Sequence, residues 1–183
     1  MLRNSRYAWG RIAIAFHWLL AALIFVQFAL GWTAVEVQVS PQKLGLFIWH
    51  KSVGVSILLL VLLRLGWRLG NEIPAAAAGL TVLEKRLARA GHGLLYLLML
   101  AVPLTGWWIS DTSRIPFRLF RLLPAPDLLP ADRAMSELAA RIHGTLTTLL
   151  LIVIGIHVAA ALRHHFLLHN ETLRRMFSLR VES

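Results

Sequence analysis

The sequence predicts an all-α membrane protein built as a bundle of four transmembrane helices. Hydrophobic residues make up 57% of the 183 residues and charged residues only 15%, which is too apolar for an ordinary soluble domain. Four apolar runs are each long enough for a helix to cross a bilayer; they lie at about residues 12–32, 47–66, 91–109 and 142–163. We expect one membrane domain over residues 1–183.

The first run, from Ile12 to Trp32, is interrupted only by His17 and Gln27. A basic start followed by an apolar stretch is also typical of a secretory signal peptide, which is the alternative here. The length of the run and its two polar side chains favour a membrane span. The third run contains Pro103, and membrane bundles tolerate the helix kink that such a proline causes.

The basic residues predict the orientation of the bundle. Twelve of the nineteen Lys and Arg residues fall on the side that carries both termini, and seven fall on the other side. Because cytoplasmic loops are enriched in Lys and Arg, both termini should be cytoplasmic. The longest connection, residues 110–140, should then lie on the outer surface.

Composition also excludes several classes of site. The chain has no cysteine, which rules out thiolate-bound iron–sulfur clusters, covalently attached haem and disulfides. The formal charge of +10 could indicate a nucleic-acid partner, but the basic residues occur in short clusters at the ends of apolar runs. We expect membrane lipids and cofactor carboxylates as their partners, and no nucleic acid.

The histidines of the fourth run suggest a function. His157 follows His143 by fourteen positions, which is four helical turns less about 40°, so both side chains share one face about 21 Å apart. His164 follows on the same stripe, outside the apolar core. Two neutral imidazoles inside a membrane at this spacing suit the axial ligation of two stacked haems.

Comparing depths in the bundle predicts the ligand pairs. His17 lies six positions inside Arg11, and His157 lies six positions inside the last arginine of the fourth run. His50 and His143 both stand near the outer starts of their helices. We therefore expect His17 and His157 to bind the iron of an inner haem, and His50 and His143 that of an outer haem.

A single membrane histidine has a plainer explanation, a hydrogen bond to a neighbouring helix. Four histidines at two matching depths favour ligation, because ionisable residues within a membrane are costly and are usually functional. A transporter or sensor that binds zinc or copper would use the same residue type and stays open as an alternative.

Several motifs along the chain are similar to those of a known family. They are Arg11 with His17-Trp18, His50-Lys51-Ser52-Val53-Gly54, Gly91-His92-Gly93-Leu94-Leu95-Tyr96, His143, Gly155-Ile156-His157 and His164-His165. With these motifs the chain resembles the bacterial dihaem cytochrome b561 proteins, whose members include the superoxide oxidase of enteric bacteria. The resemblance implies two non-covalent b haems, a ubiquinone site on the cytoplasmic side and electron transfer between them.

Two further histidines are candidates for chemistry at the quinone. His164 lies at the inner boundary of the ligand stripe, where it could donate a proton or a hydrogen bond to quinone. His92 lies only three positions inside Arg89, and we expect it to be shallower than His17 or His157. It should neighbour a haem propionate or a quinone carbonyl rather than bind iron.

Basic side chains ring both ends of the predicted bundle. The inner ring is Arg11, Arg64, Arg68 and Arg163, and the outer ring is Arg114, Arg118, Arg121, Arg141 and Lys51. Contact with lipid headgroups is their plainer role. In the functional interpretation they pair with haem propionates, Arg11 among them, and the outer ring steers a small anion such as superoxide to the outer haem.

The expected function is electron transfer by a dihaem b-type cytochrome from a periplasmic one-electron donor, superoxide, to ubiquinone. As an alternative, the chain is the cytochrome b membrane subunit of a larger periplasmic oxidoreductase. Gly54, Gly144 and Gly155 either clear space for the haems or serve close helix packing. We expect no internal repeat.

Overall fold

The computed structural model describes residues 1–77, 79–113, 118–124, 126 and 128–177. Its long helices are α1 (Arg11–Glu36), α2 (Pro41–Leu69), α3 (Val82–Thr112) and α4 (Arg133–Phe166). A two-stranded antiparallel hairpin, β1 (Arg118–Leu119) and β2 (Leu123–Pro124), lies between α3 and α4, and a short 3-10 helix, Arg174–Met176, follows α4. Each of α1 to α4 has the length and apolar composition needed to cross a membrane, which confirms the predicted all-α four-helix fold.

The helices extend beyond the apolar runs because polar residues cap their starts. Ser40, Thr81 and Asp132 each accept a hydrogen bond from the backbone N–H three positions later, which satisfies one of the free donors of a helix N-terminus. The caps place the starts of α3 and α4 nine residues before the runs at 91 and 142. Residues 133–140, expected in the outer loop, therefore belong to α4.

The core of the bundle is a single apolar cluster drawn from all four helices. Its buried members are Leu20, Ile24, Phe28, Ile57, Val61, Leu98, Met99, Leu150 and Val153. Packing is closest within the pairs α1–α2 and α3–α4, and α2–α3 contacts join the two pairs. Most apolar side chains of α4 face outward, as is expected of a helix surrounded by lipid.

The N-terminal residues and the segment up to residue 177 lie at one end of the bundle, here called the terminal end. There the Ala75 N–H donates to the Arg6 carbonyl, the Arg175 guanidinium donates to the Ala75 carbonyl, and the Trp18 indole donates to the Met176 carbonyl. The N-terminal arm, the α2–α3 connection and the C-terminal tail thus form one layer. The cytoplasmic placement of this end stays a prediction.

The β1–β2 hairpin covers the opposite end, here called the hairpin end. The Ser52 hydroxyl on α2 is fully buried and accepts the Phe120 N–H at 2.8 Å. The Phe120 ring packs edge-on against Trp49, with 5.7 Å between ring centroids. A Cβ at Gly45 would lie 3.1 Å from Arg121 Nη2, so the hairpin is fitted closely to α2.

Replacing Ser52 should loosen the hairpin without disturbing the bundle. In Ser52→Ala the Phe120 N–H loses its partner, which costs about 1 to 3 kcal/mol when the group stays buried. Hydrogen exchange of the segment containing Phe120 should speed up correspondingly. Ser56→Ala is the matched control, since the Ser56 hydroxyl donates only to the Ser52 carbonyl of its own helix; equal exchange in both variants would contradict the role of Ser52.

Candidate axial-ligand sites

The structure brings the four predicted ligands together in two pairs at opposite ends of the bundle. Ring centroids of His17 and His157 are 6.2 Å apart at the terminal end, and those of His50 and His143 are 6.4 Å apart toward the hairpin end. An imidazole nitrogen binds a transition metal at about 2 Å, so two rings on opposite sides of one ion have centroids roughly 6 Å apart. Both pairs fit one ion held between two imidazoles.

The His143 ring is held in the orientation that a metal ligand needs. Its Nδ1 lies 3.0 Å from the Val102 carbonyl oxygen and 3.0 Å from Thr105 Oγ1. If Nδ1–H donates to the carbonyl, the Nε2 lone pair is free for a metal. The ring also lies against Gly106, where a Cβ would come within 3.3 Å of His143 Cε1.

The His50 ring also rests on α1, but its buried Nδ1 has no hydrogen-bond partner among the described residues. It packs against the backbone at Gln27 and Gly31, where a Cβ at Gly31 would come within 3.0 Å of His50 Cε1. The Gln27 amide also donates to the His50 backbone carbonyl at 2.8 Å. Each ring of this pair therefore rests on a glycine of the preceding helix.

The contacting glycines differ from those that the sequence suggested. A Cβ at Gly144 or Gly155 would meet no described atom within 4 Å, and one at Gly54 would meet the Gln27 amide at 3.1 Å. Gly31 and Gly106, which touch the ligand rings, were missed. Each of them precedes a tryptophan and stands fourteen residues after a histidine, His17 or His92; Gly66 also precedes a tryptophan but would contact no described atom, so the Gly-Trp pair alone does not identify them.

His92 is a third imidazole at the terminal end. Its ring centroid lies 5.4 Å from that of His157, and its depth relative to the ligands stays a prediction. Because α3 begins at Val82, His92 lies almost three turns inside the helix. The 6.2 Å spacing of His17 and His157 fits two rings on one ion better than this shorter distance does.

Two arginines of α2 complete the terminal-end cluster. Arg64 Nη2 lies 3.3 Å from His17 Nδ1. The guanidinium groups of Arg64 and Arg68 lie 5.5 and 5.8 Å from the centroid of the Tyr96 ring, in cation–π geometry. Both cations are half-buried, and they give this end of the bundle a positive interior.

The remaining inner candidates lie at the edge of the cluster. The Asn170 amide donates to His164 Nδ1 at 2.9 Å in the last turn of α4. Arg163 forms an ion pair with Glu84 at 3.1 Å, and Arg11 is exposed at the start of α1. The roles predicted for His164, His92 and Arg11 stay predictions.

The outer cations surround the hairpin end. Three of them are exposed: Arg118, Arg121 and Arg141. Lys51 is half-buried and is attracted by the Asp111 carboxylate, and Arg114 lies outside the described residues. The exposed guanidinium groups of Arg118, Arg121 and Arg141 face solvent at this end, where the acids Asp132 and Glu137 are also exposed.

Each histidine pair offers two nitrogen ligands, which suits a metal ion whose other ligands come from its cofactor. Within the described ranges, no three His, Cys, Asp or Glu side chains are arranged to hold a bare metal ion. Zinc sites ordinarily need three or four protein ligands, whereas haem iron needs only axial ones. The arrangement therefore favours haem over the zinc or copper alternative.

Comparison with known proteins supports this interpretation. The sequence profile of prokaryotic cytochrome b561 matches residues 8–179. "Cytochrome b561 homolog 2" of Escherichia coli K12 is 30% identical over 180 residues, which cover 94% of this chain and 93% of that protein. "Probable superoxide oxidase CybB" of Yersinia pestis is 29% identical, covering 90% and 93%, and "Cytochrome b562" of Cereibacter sphaeroides is 27% identical, covering 91% and 92%.

These matches span nearly the whole chain and include all four helices. The chain belongs to the prokaryotic cytochrome b561 family, whose members bind haem b and transfer electrons, and it is a multi-pass protein of the bacterial inner membrane.

Proposed function

We propose that this protein holds two b haems, one in each histidine pair, and transfers electrons from superoxide on the periplasmic side to ubiquinone on the cytoplasmic side. The observation that carries the proposal is the presence of two imidazole pairs with nearly equal ring separations, 6.2 and 6.4 Å, at two levels of one bundle. Helix α4 supplies one ligand to each pair, His157 and His143, so a single rigid element sets the distance between the haems.

The protein supplies ligation, orientation and shielding. Haem supplies the one-electron chemistry when it is bound. The Val102 carbonyl fixes the tautomer of His143, and Gly31 and Gly106 let the rings lie close to the helix backbones. The apolar core that separates the two pairs, with Leu150 and Val153 between the two ligands of α4, keeps water away from the path between them.

The surface of the hairpin end supports a small anionic donor. Arg118 and Arg121 project from the hairpin, and Arg141 lies at the start of the apolar part of α4. A positive surface raises the local concentration of an anion and its association rate. Oxidation of superoxide is also the activity given in the name of the Yersinia pestis relative.

The terminal end supports the quinone reaction. Reduction of one ubiquinone consumes two electrons and two protons, so two superoxide ions become two molecules of dioxygen for each ubiquinol formed. His92 and His164 are the groups that we assign to proton delivery and to hydrogen bonding with the quinone. His92 lies beside the ligand His157, and His164 lies two turns further along α4.

The direct test combines cofactor analysis with a turnover measurement. Purified protein should contain two haems b per chain and should reduce a soluble ubiquinone when superoxide is generated, with no other protein present. Superoxide dismutase added in excess should stop the reaction. Two haems without superoxide-driven reduction would contradict the donor and favour the membrane subunit of a larger oxidoreductase.

Single ligand substitutions should each remove one haem. His157→Ala should reduce the haem content from two per chain to one by removing the terminal-end haem, and His143→Ala should remove the other. His165→Ala is the control, because the His165 ring packs on Phe166 beside it and should keep both haems. Loss of both haems, or of neither, on replacing His157 would contradict the pairing.

Adding one methyl group to either contacting glycine should weaken the hairpin-end haem. Gly31→Ala and Gly106→Ala place a Cβ at 3.0 and 3.3 Å from the rings of His50 and His143, which forces each ring out of place. The haem-to-protein absorbance ratio should fall toward one haem per chain. Gly66→Ala, whose Cβ meets no described atom, should keep both haems and gain about 1 kcal/mol of helix propensity; equal haem loss in this control would contradict the steric explanation.

A further inference from the structure

The two helical pairs of the bundle repeat one another in sequence. Shifting α1 by 75 positions places Arg11 on Arg86, His17 on His92 and Gly31 on Gly106. Both segments read R-x-A-x-A-x-H-x-L-L-x-x-L, followed after seven residues by G-W. The expectation that the chain has no internal repeat is therefore wrong for α1 and α3.

Helices α2 and α4 correspond with a shift of 93 positions. This shift places His50 on His143 and Ser52 on Thr145. Ser52 and Thr145 each donate a hydroxyl hydrogen bond to the carbonyl four residues earlier. Ile57 and Leu150, which also correspond, are both buried in the core.

Contacts between α1 and α2 have counterparts between α3 and α4 under these shifts. The His50 ring on α2 rests on Gly31 of α1, and the His143 ring on α4 rests on Gly106 of α3. Val102, whose carbonyl lies beside His143 Nδ1, corresponds to Gln27, whose backbone lies beside the His50 ring. The two helical pairs thus share the sequence pattern of α1 and α3 and the placement of the His50 and His143 rings.

The correspondence fails at one position of the terminal-end cluster. The shift that relates α2 to α4 places Arg64 on His157, so an arginine occupies the position that holds a ligand in the other half. In one half the Arg64 guanidinium contacts His17 of α1. In the other half His157, at the corresponding position, lies beside His92 of α3. One copy of the repeat therefore contributes a permanent cation where the other contributes an imidazole.

The charge of Arg64 is not balanced by a carboxylate in the described part of the chain. The ion pairs found there are Arg133–Glu137, Arg163–Glu84 and Arg175–Glu171. Arg64 instead contacts His17 and the face of Tyr96, with Arg68 beside it. At the other pair, the cation next to His50 is Lys51, which lies near the Asp111 carboxylate.

We infer that Arg64 is a positioning residue of the redox site that raises the reduction potential of the terminal-end haem and so directs electrons toward that end. The inference rests on the two haems of the proposed function. Oxidised haem iron carries one more positive charge than reduced iron, so a fixed cation beside its ligand favours the reduced state. The interaction is strong in a half-buried, apolar setting, where screening is weak.

The test is a potentiometric titration of the purified protein, followed by visible absorbance. It uses the unsubstituted protein and a His50→Ala form that retains only the terminal-end haem. Arg64→Gln should lower the midpoint potential of that haem and leave the hairpin-end haem unchanged. Arg64→Lys keeps the charge and should restore most of the potential, while Arg175→Gln, which removes a cation already paired with Glu171, should leave both potentials unchanged.

Several outcomes would overturn the inference. These are an unchanged or higher potential in Arg64→Gln, an equal fall in Arg64→Lys or Arg175→Gln, or loss of the terminal-end haem from both Arg64 variants, which would make Arg64 a binding residue only. Failure of the proposed function would appear separately. Fewer than two haems in the unsubstituted protein would remove the basis of both, whereas two haems without superoxide oxidation would overturn the donor alone.

Discussion

The need of a neutral imidazole inside an apolar bundle for partners at both ring nitrogens explains how His143 is held. One nitrogen carries a hydrogen and needs an acceptor, and the other carries a lone pair and needs a donor or a metal. At His143 the Val102 carbonyl takes the first role, which leaves Nε2 for a metal. The glycines and the close pairing of α3 with α4 follow from this need, because the ring reaches a helix backbone only where no side chain intervenes.

The regular geometry of α-helices explains what the sequence could predict. Apolar length indicated the four spans, and a constant rotation and rise per residue placed His143 and His157 on one face. Matching depths then led to the pairs that the structure brings together. These deductions needed only the positions of residues within each helix, and none of them needed the contacts between helices.

The features that sequence reasoning missed depend on caps and on contacts between helices. Hydropathy does not detect the start of α3 at Val82, because the cap formed by Thr81 and Glu84 lies in a polar stretch. His92 therefore lies further inside its helix than the apolar run indicated. The contacts of Gly31 and Gly106 arise only when two helices pack together, and the fit of the hairpin to Ser52 joins segments 68 residues apart.

The repeat clarifies why the two ends of the bundle differ. If α2 matched α4 fully, the terminal end would hold imidazoles at all four corresponding positions, 17, 64, 92 and 157, and no cation among them. Such a site would ligate iron equally well, but nothing in the cluster would set its potential apart from that of the other pair. Replacing one imidazole by Arg64 keeps His17 and His157 available as ligands and adds a charge at one end only. Under the proposed function, this charge would supply the electrostatic difference along the bundle axis that directional electron transfer requires.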